Sequence, residues 1–256
     1  MTEFYVNSVR DFSKDWFQES YNRLPGFRQE KADRFRMKED RLVSILAGTL
    51  LREALLSRAI SDRDVLIEEH GKPFLTEEPP WFSISHTGPV AVLAISDEGP
   101  VGADVEEIRR TRAGDKLRAG NWEAIARRFY TDSEKKYLDK LEEGEREKTF
   151  FGLWTCKEAY GKLMGGGLED GLPFSAEKVL EKAVILDAKD SLRDLDSQLR
   201  FCSLSEYRGR KNSGEKGYPD SIGTARVKTA VGDLRFFISE KEISHRNFLF
   251  TICIKG

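Results

Sequence analysis

Between residues 65 and 106 the pairs Pro79-Pro80, Gly88-Pro89 and Gly99-Pro100 cut the chain into apolar runs too short for helices. Proline breaks a helix and a sheet interior, and Gly-Pro favours a turn. The runs Val65–Glu69, Trp81–Ser85, Val90–Ile95 and Val101–Glu106 are therefore expected to be strands joined by turns. Upstream, residues 4–6 read as a short strand and Phe27–Phe35 as a charged helix. A longer helix is expected over Lys38–Arg58, where Leu42, Ile45, Leu46 and Leu50 form one stripe at i, i+3, i+4 and i+8. Helical signals then return. Trp122, Ile125, Ala126 and Phe129 make a second stripe, and Thr131 and Glu134 have capping-box spacing before Tyr137, Leu138 and Leu141. A long helix over Glu145–Met164 should stop at Gly165-Gly166-Gly167, and Ala176–Ile254 reads as strands around a loop rich in Gly, Lys and Ser, Arg208–Asp220. Helices followed by strands, twice over, indicate an α+β protein of two similar halves, 1–100 and 101–256.

Charge narrows the function classes. Lys plus Arg number 42 and Asp plus Glu 44, a net charge of −2, so nothing is broadly basic and bulk nucleic-acid binding is excluded. Any phosphate site must be local. Glu3 and Asp11 interrupt the apolar residues of the N-terminus, which argues against a signal peptide. No apolar run approaches the ~18–20 residues of a membrane helix. Cys156, Cys202 and Cys253 are odd in number and far apart, which excludes a disulfide framework and a CxxC metal site and fits a reducing cytoplasm.

Three segments concentrate chemistry. In Val101-Gly102-Ala103-Asp104-Val105-Glu106, strand alternation turns Asp104 and Glu106 to one face. Two carboxylates so close repel unless a cation joins them, and hard oxygen ligands suit Mg²⁺. The same pattern also describes a solvated strand end. In Trp154-Thr155-Cys156-Lys157-Glu158-Ala159-Tyr160-Gly161-Lys162, helical geometry puts Trp154, Glu158 and Lys162 in one row, the spacing of an ordinary surface ion pair as well. The glycines beyond Met164 suit a helix stop or a close backbone approach. Ile84-Ser85-His86-Thr87-Gly88, preceded by His70-Gly71-Lys72-Pro73, offers a Ser, a His and a Thr at a strand end, able to hold an anion or to serve structurally.

Taken in order, GKP, ISHTG, GADVE and WTCKEAYGK resemble the 4'-phosphopantetheinyl transferase superfamily, specifically its two-domain monomeric type. The resemblance runs from about Lys31 to Leu172 and implies that family's pseudo-dimer of two α/β halves. It implies a Mg²⁺-dependent enzyme that moves 4'-phosphopantetheine from coenzyme A to a serine of an apo acyl, peptidyl or polyketide carrier protein. By the same resemblance Asp104, Glu106 and Glu158 hold Mg²⁺, and Glu158, or a metal-bound water in its stead, takes the serine proton. Lys162 contacts the diphosphate, and Lys157 joins it from about 100° around the helix. Lys72, Ser85, His86 and Thr87 belong to the site of the CoA 3'-phosphate, with Gly71 and Pro73 shaping a loop around the adenine. Arg28 and Lys31 reach the nucleotide phosphates and Ser44 the adenine. The chain departs from the family pattern at Ala103, whose side chain should face away from the metal, and at Val43, where Arg is common; Arg41 is a possible substitute. A carrier would dock near Lys116–Arg128. The resemblance also implies a monomer, and the charge balance, the cysteines and the short apolar runs lead to the expectation of a cytoplasmic protein that binds neither nucleic acid nor membrane. Two competing readings are a catalytically silent CoA- or carrier-binding relative and a metal-dependent phosphodiesterase. The latter would want more metal-ligating His than His70, His86 and His245 supply.

Overall fold

A computed structural model describes residues 1–68, 71–108, 122–181, 184–186, 199–202, 226–231 and 233–255. The strands are β1 (Thr2–Ser8), β2 (Leu66–Ile67), β3 (Pro73–Phe74), β4 (Trp81–Thr87), β5 (Val90–Ser96), β6 (Val101–Ile108), β7 (Val184–Leu186), β8 (Leu199–Cys202), β9 (Arg226–Val231), β10 (Leu234–Ile243) and β11 (Arg246–Lys255). The helices are α1 (Lys14–Arg23), α2 (Gly26–Asp33), α3 (Lys38–Leu56), α4 (Trp122–Phe129), α5 (Asp132–Asp139), α6 (Glu143–Met164), α7 (Leu168–Gly171) and α8 (Glu177–Glu181).

Two sheets result, ordered β4-β5-β1-β8 and β6-β11-β10-β9-β7, with β2 and β3 paired apart. Strand alternation explains how they stack. On β5, Ala91, Leu93 and Ile95 face α3 and pack with Ile45, Leu46 and Leu50. The alternate residues Val90, Val92 and Ala94 face the other way, into a core shared with Val101, Ala103 and Val105 of β6 and Phe248, Phe250 and Ile252 of β11. Behind the second sheet, Leu153, Cys156, Ala159 and Leu163 of α6 pack on Phe236, Leu249 and Cys253. The layers therefore run helix, sheet, sheet, helix, and both sheets are buried on both faces at their centres. The α+β class expected from the sequence holds, and each half sets a long helix on antiparallel strands. The strand β8, from the second half of the chain, pairs in parallel with β1 of the first sheet, Thr2 opposite Leu199.

Some elements differ from expectation. Helix α1 was not anticipated, although Ser13 caps it by accepting from the Trp16 N–H at 3.2 Å and Trp16 and Phe17 are buried. The strand expected at Val65–Glu69 shrinks to the exposed pair Leu66–Ile67, because its partner is only Pro73–Phe74. Residues from Ala176 begin with a helical turn, α8, before any strand. The Arg208–Asp220 loop lies outside the described residues, as do residue 70 and residues 116–121 of the docking segment 116–128. No helix among the described residues is long and apolar enough to cross a membrane.

Candidate active site

The site forms where β4, at the edge of the first sheet, meets β6, at the edge of the second. Ser83 and Ser85 alternate onto one side of β4. Ser83 Oγ accepts from the Ala103 N–H at 3.0 Å, and Ser85 Oγ donates to Asp104 Oδ1 at 2.7 Å. Two serines thus join the sheets at the residues of the GADVE segment. Ala103 is fully buried in the inter-sheet core, while Asp104 turns toward α6.

Gly102 explains why α6 can come so close. A Cβ built on it would lie 1.8 Å from the Ala159 carbonyl oxygen and 2.8 Å from the Leu163 N–H nitrogen. Only a residue without a side chain lets the helix backbone rest on the strand there. That approach brings Lys162, one turn from Glu158, onto Asp104. The Lys162 ammonium donates to Asp104 Oδ1 at 2.6 Å and to Ser85 Oγ at 2.9 Å. Helix α6 stops at Gly165, φ +105°, as expected. The glycines also serve close approach, since a Cβ on Gly161 would strike the Gly167 carbonyl at 1.9 Å.

Above this contact lies a cavity of about 340 Å³. Residues 28, 31, 71–73 and 82–86 of the first half line it, together with Glu158, Lys162, Gly165 and Gly167 of the second. Its wall carries Arg28, Lys31, Lys72 and Lys162. Arg28 is 5% exposed. Its Nη2 donates to the Ser44 carbonyl at 3.2 Å, and its Nε has no hydrogen-bond partner among the described residues. Burial pulls the Arg28 guanidinium down to about 10, and burial together with Arg28 lowers Lys31. His86 is held at about 4, by burial first and then by the fields of Lys31, Arg28 and Lys162, so it is neutral at pH 7. A buried cation without a counter-charge is expensive, and an anionic ligand removes that cost.

At the other end the charges are negative. Glu158 is pushed above the ordinary carboxylate range, by burial first and then by Asp104, against the opposing pull of Lys162. Asp104 is 3% exposed and its Oδ2 is buried with no partner among the described residues. Glu106 follows two residues on along the same face, half-buried and outside the cavity wall. As they stand, no three His, Cys, Asp or Glu side chains among the described residues are gathered closely enough to hold a metal, and Asp104 is paired with Lys162. The donors still fit Mg²⁺ in kind. They are hard carboxylate oxygens, one of them an orphan, beside a second carboxyl that burial and a like charge destabilise.

Most residues singled out in the sequence meet here: Arg28, Lys31, Gly71, Lys72, Pro73, Ser85, His86, Glu158 and Lys162 all line the cavity. Three do not. Lys157 is a correction: it is fully buried in a different place, 2.7 Å from Glu134, and donates to the carbonyls of Leu172 at 2.8 Å and Phe174 at 2.5 Å. Its ammonium is held by two hydrogen bonds and an ion pair, and it faces the core because it sits about 100° from Glu158 around the helix. Ser44 is buried in α3, its carbonyl taken by Arg28 and its hydroxyl without a partner among the described residues. Thr87 ends β4, opposite Val90 across the turn, and like Ser44 is absent from the cavity wall. Arg41 pairs with Asp33 at 2.9 Å and lies over the Tyr21 ring instead of replacing a basic residue in the site. The sequence reading missed Ser83, whose signal was its two-residue spacing from Ser85, and Glu134, whose capping-box role hid its second bond to Lys157.

The sequence profile of the 4'-phosphopantetheinyl transferase superfamily matches residues 100–212. The chain is similar to the 4'-phosphopantetheinyl transferase AcpT of Escherichia coli (strain K12), 38% identical over 119 residues, 46% of this chain and 57% of that protein. It is similar to the 4'-phosphopantetheinyl transferase psf-1 of Bacillus pumilus, 34% identical over 145 residues, 55% of this chain and 58% of that protein. The 4'-phosphopantetheinyl transferase ffp of Bacillus subtilis is 31% identical over 159 residues, 59% of this chain and 66% of that protein. The chain thus spans little more than half the length of the first two of these relatives and just under two thirds of the third.

Proposed function

We propose that this chain, whose residues 100–212 match the profile of the 4'-phosphopantetheinyl transferase superfamily, transfers 4'-phosphopantetheine from coenzyme A to a serine hydroxyl of an apo acyl, peptidyl or polyketide carrier protein. The observation that carries this reading is the polarity of the cavity. Arg28 and Lys31 stand beside the neutral His86, while Asp104 and Glu158 gather around Lys162, which reaches the same cavity. Coenzyme A carries phosphate charge in two places, a 3'-phosphate and a diphosphate; the first suits Arg28 and Lys31, and the second suits Lys162 together with a cation held by the carboxylates. Residues 1–100 would serve mainly the nucleotide and residues 101–256 the chemistry.

In the reaction the serine Oγ bonds to the phosphorus nearer the pantetheine. The bond from that phosphorus to the bridging diphosphate oxygen breaks, and adenosine 3',5'-bisphosphate leaves. Asp104, Glu106 and Glu158 would hold Mg²⁺, which when bound offsets the charge growing on the diphosphate. Glu158 accepts the serine proton, since its desolvation raises its basicity toward the working pH. Lys162 stabilises the charge growing on the 5'-phosphate of the leaving adenosine 3',5'-bisphosphate, and Lys31, Lys72 and His86 hold the 3'-phosphate end. The protein acts as a cytoplasmic monomer on this reading.

The test is to incubate the protein with CoA, Mg²⁺ and an apo carrier protein and to weigh the carrier by mass spectrometry for one added phosphopantetheine. Asp104→Ala should abolish the addition while the fold persists. An unmodified carrier with wild-type protein would leave a silent relative; near-normal turnover by Asp104→Ala would remove the carboxylate assignment. For the nucleotide end, His86→Ala should weaken CoA about ten- to a hundredfold, the loss of one charge-assisted hydrogen bond, while dephospho-CoA is little affected. Equal losses for both would make His86 structural.

A further inference from the structure

Ser85 was expected at the nucleotide phosphate and Lys162 at the diphosphate, yet both are engaged with Asp104. Lys162 Nζ, Ser85 Oγ and Asp104 Oδ1 close a triangle with sides of 2.6, 2.7 and 2.9 Å. The carboxylate is nearly sealed from water, its side chain 5% exposed, while the Lys162 side chain is 25% exposed and borders the cavity. Oδ2 of the same carboxylate is buried without a partner among the described residues.

We propose that Lys162 is an exchangeable counter-cation: without a divalent ion its ammonium neutralises Asp104, and on loading it swings from that carboxylate to the ligand's diphosphate while Ser85 keeps Asp104 in aim. This rests on the reading of Asp104 as a ligand for a divalent ion. A carboxylate buried this deeply needs a cation at all times. An ammonium and a dication on one carboxylate repel each other, so the arriving ion must displace Lys162. The side chain is long, singly charged and at the cavity wall, so it can leave, and the diphosphate supplies the anion it moves to. In the empty protein Lys162 therefore competes with the metal. A bound diphosphate ends that competition, so metal and CoA each strengthen the other's binding, reciprocally. Ser85 is a positioning residue, since it touches neither ion nor ligand in the exchange but fixes Oδ1.

The test is Mn²⁺ binding, read by electron paramagnetic resonance of the free ion, to the full chain with and without CoA. Without CoA, Lys162→Met should bind Mn²⁺ about tenfold more tightly than wild type, equivalent to roughly 1.4 kcal/mol of ion pair that the metal no longer breaks. CoA should then improve Mn²⁺ binding by a smaller factor than in wild type. In EDTA, Lys162→Met should melt below wild type and recover on adding Mn²⁺. Lys162→Arg keeps the charge and the fold and should bind Mn²⁺ no more tightly than wild type. Ser85→Ala should weaken Mn²⁺ and Ser85→Thr restore it. Equal or weaker Mn²⁺ binding by Lys162→Met, or a gain by Lys162→Arg matching it, overturns the exchange. If wild type still modifies a carrier in that case, only the exchange has failed. A wild type that binds no Mn²⁺ and modifies no carrier overturns the underlying metal reading and the exchange with it.

Discussion

Gly102→Ala tests whether the approach of α6 to β6 builds the site. The new methyl would begin 1.8 Å from the Ala159 carbonyl oxygen and 2.8 Å from the Leu163 nitrogen. Both are backbone atoms of a 22-residue helix, so no side chain can rotate away. To reach an ordinary contact the helix backbone at Ala159 must retreat from β6 by more than an ångström. Overpacking of this kind costs typically 1–3 kcal/mol, and a backbone clash lies at the upper end. For a chain of this size each kcal/mol moves Tm by roughly 2–4 °C, so a fall of roughly 6–12 °C is expected. The retreat also lengthens the 2.6 Å Lys162–Asp104 contact. An ångström of misplacement costs about 100-fold in rate. Gly144→Ala is the internal control: it lies in the same helix with nothing within 4 Å, and should be neutral or stabilising by about 0.5–1 kcal/mol. Differential scanning fluorimetry and the carrier-modification rate read the two effects. Wild-type melting and rate in Gly102→Ala would refute the reasoning, and so would an equal loss in Gly144→Ala.

Two further outcomes follow from the buried charges. Lys157→Met strands the fully buried Glu134 carboxylate and should cost about 3–5 kcal/mol in urea unfolding, with Glu134→Gln added to it recovering part. Its KM for CoA should stay near wild type, and a rise matching that of His86→Ala would return Lys157 to the nucleotide site. His86 gives a pH dependence. It titrates near 4 in the folded chain against about 6.5 when unfolded, so between these pH values the unfolded chain binds a proton that the folded chain refuses. Stability should therefore fall as pH drops from 6.5 to 4, by roughly 3 kcal/mol in all at 1.36 kcal/mol per pH unit. His86→Gln should flatten that slope, and an unchanged slope would show that other groups produce it.

The legible parts of this molecule were those set by short-range periodicity. The period of two in Val101–Glu106 put Asp104 and Ala103 on opposite faces, and the period of 3.6 put Glu158 and Lys162 in one row; both hold. What stayed hidden depends on which elements meet. The helical angle of Lys157 was readable, but its destination was not, because Glu134 lies 23 residues away on another helix. Ser85 looked like a nucleotide contact because the meeting of two sheet edges, which gives it Asp104, has no local signature. Helix α1 was missed at a Ser13 cap that local reading does provide, and α8 is a single turn too short for any period to register.

The pairing of Leu199–Cys202 beside Thr2–Tyr5 has a consequence for synthesis. Strand β1 precedes β8 by almost 200 residues in the chain, so one of its two hydrogen-bonding edges stays open until the later strand has been made. Until then the nascent chain displays an unpaired strand edge, the usual template for association with other chains. The N-terminal half cut free at residue 100 would keep that edge permanently. Strand β8 works as a late clasp, so fragments divided between the halves should need each other for solubility as well as for a complete cavity.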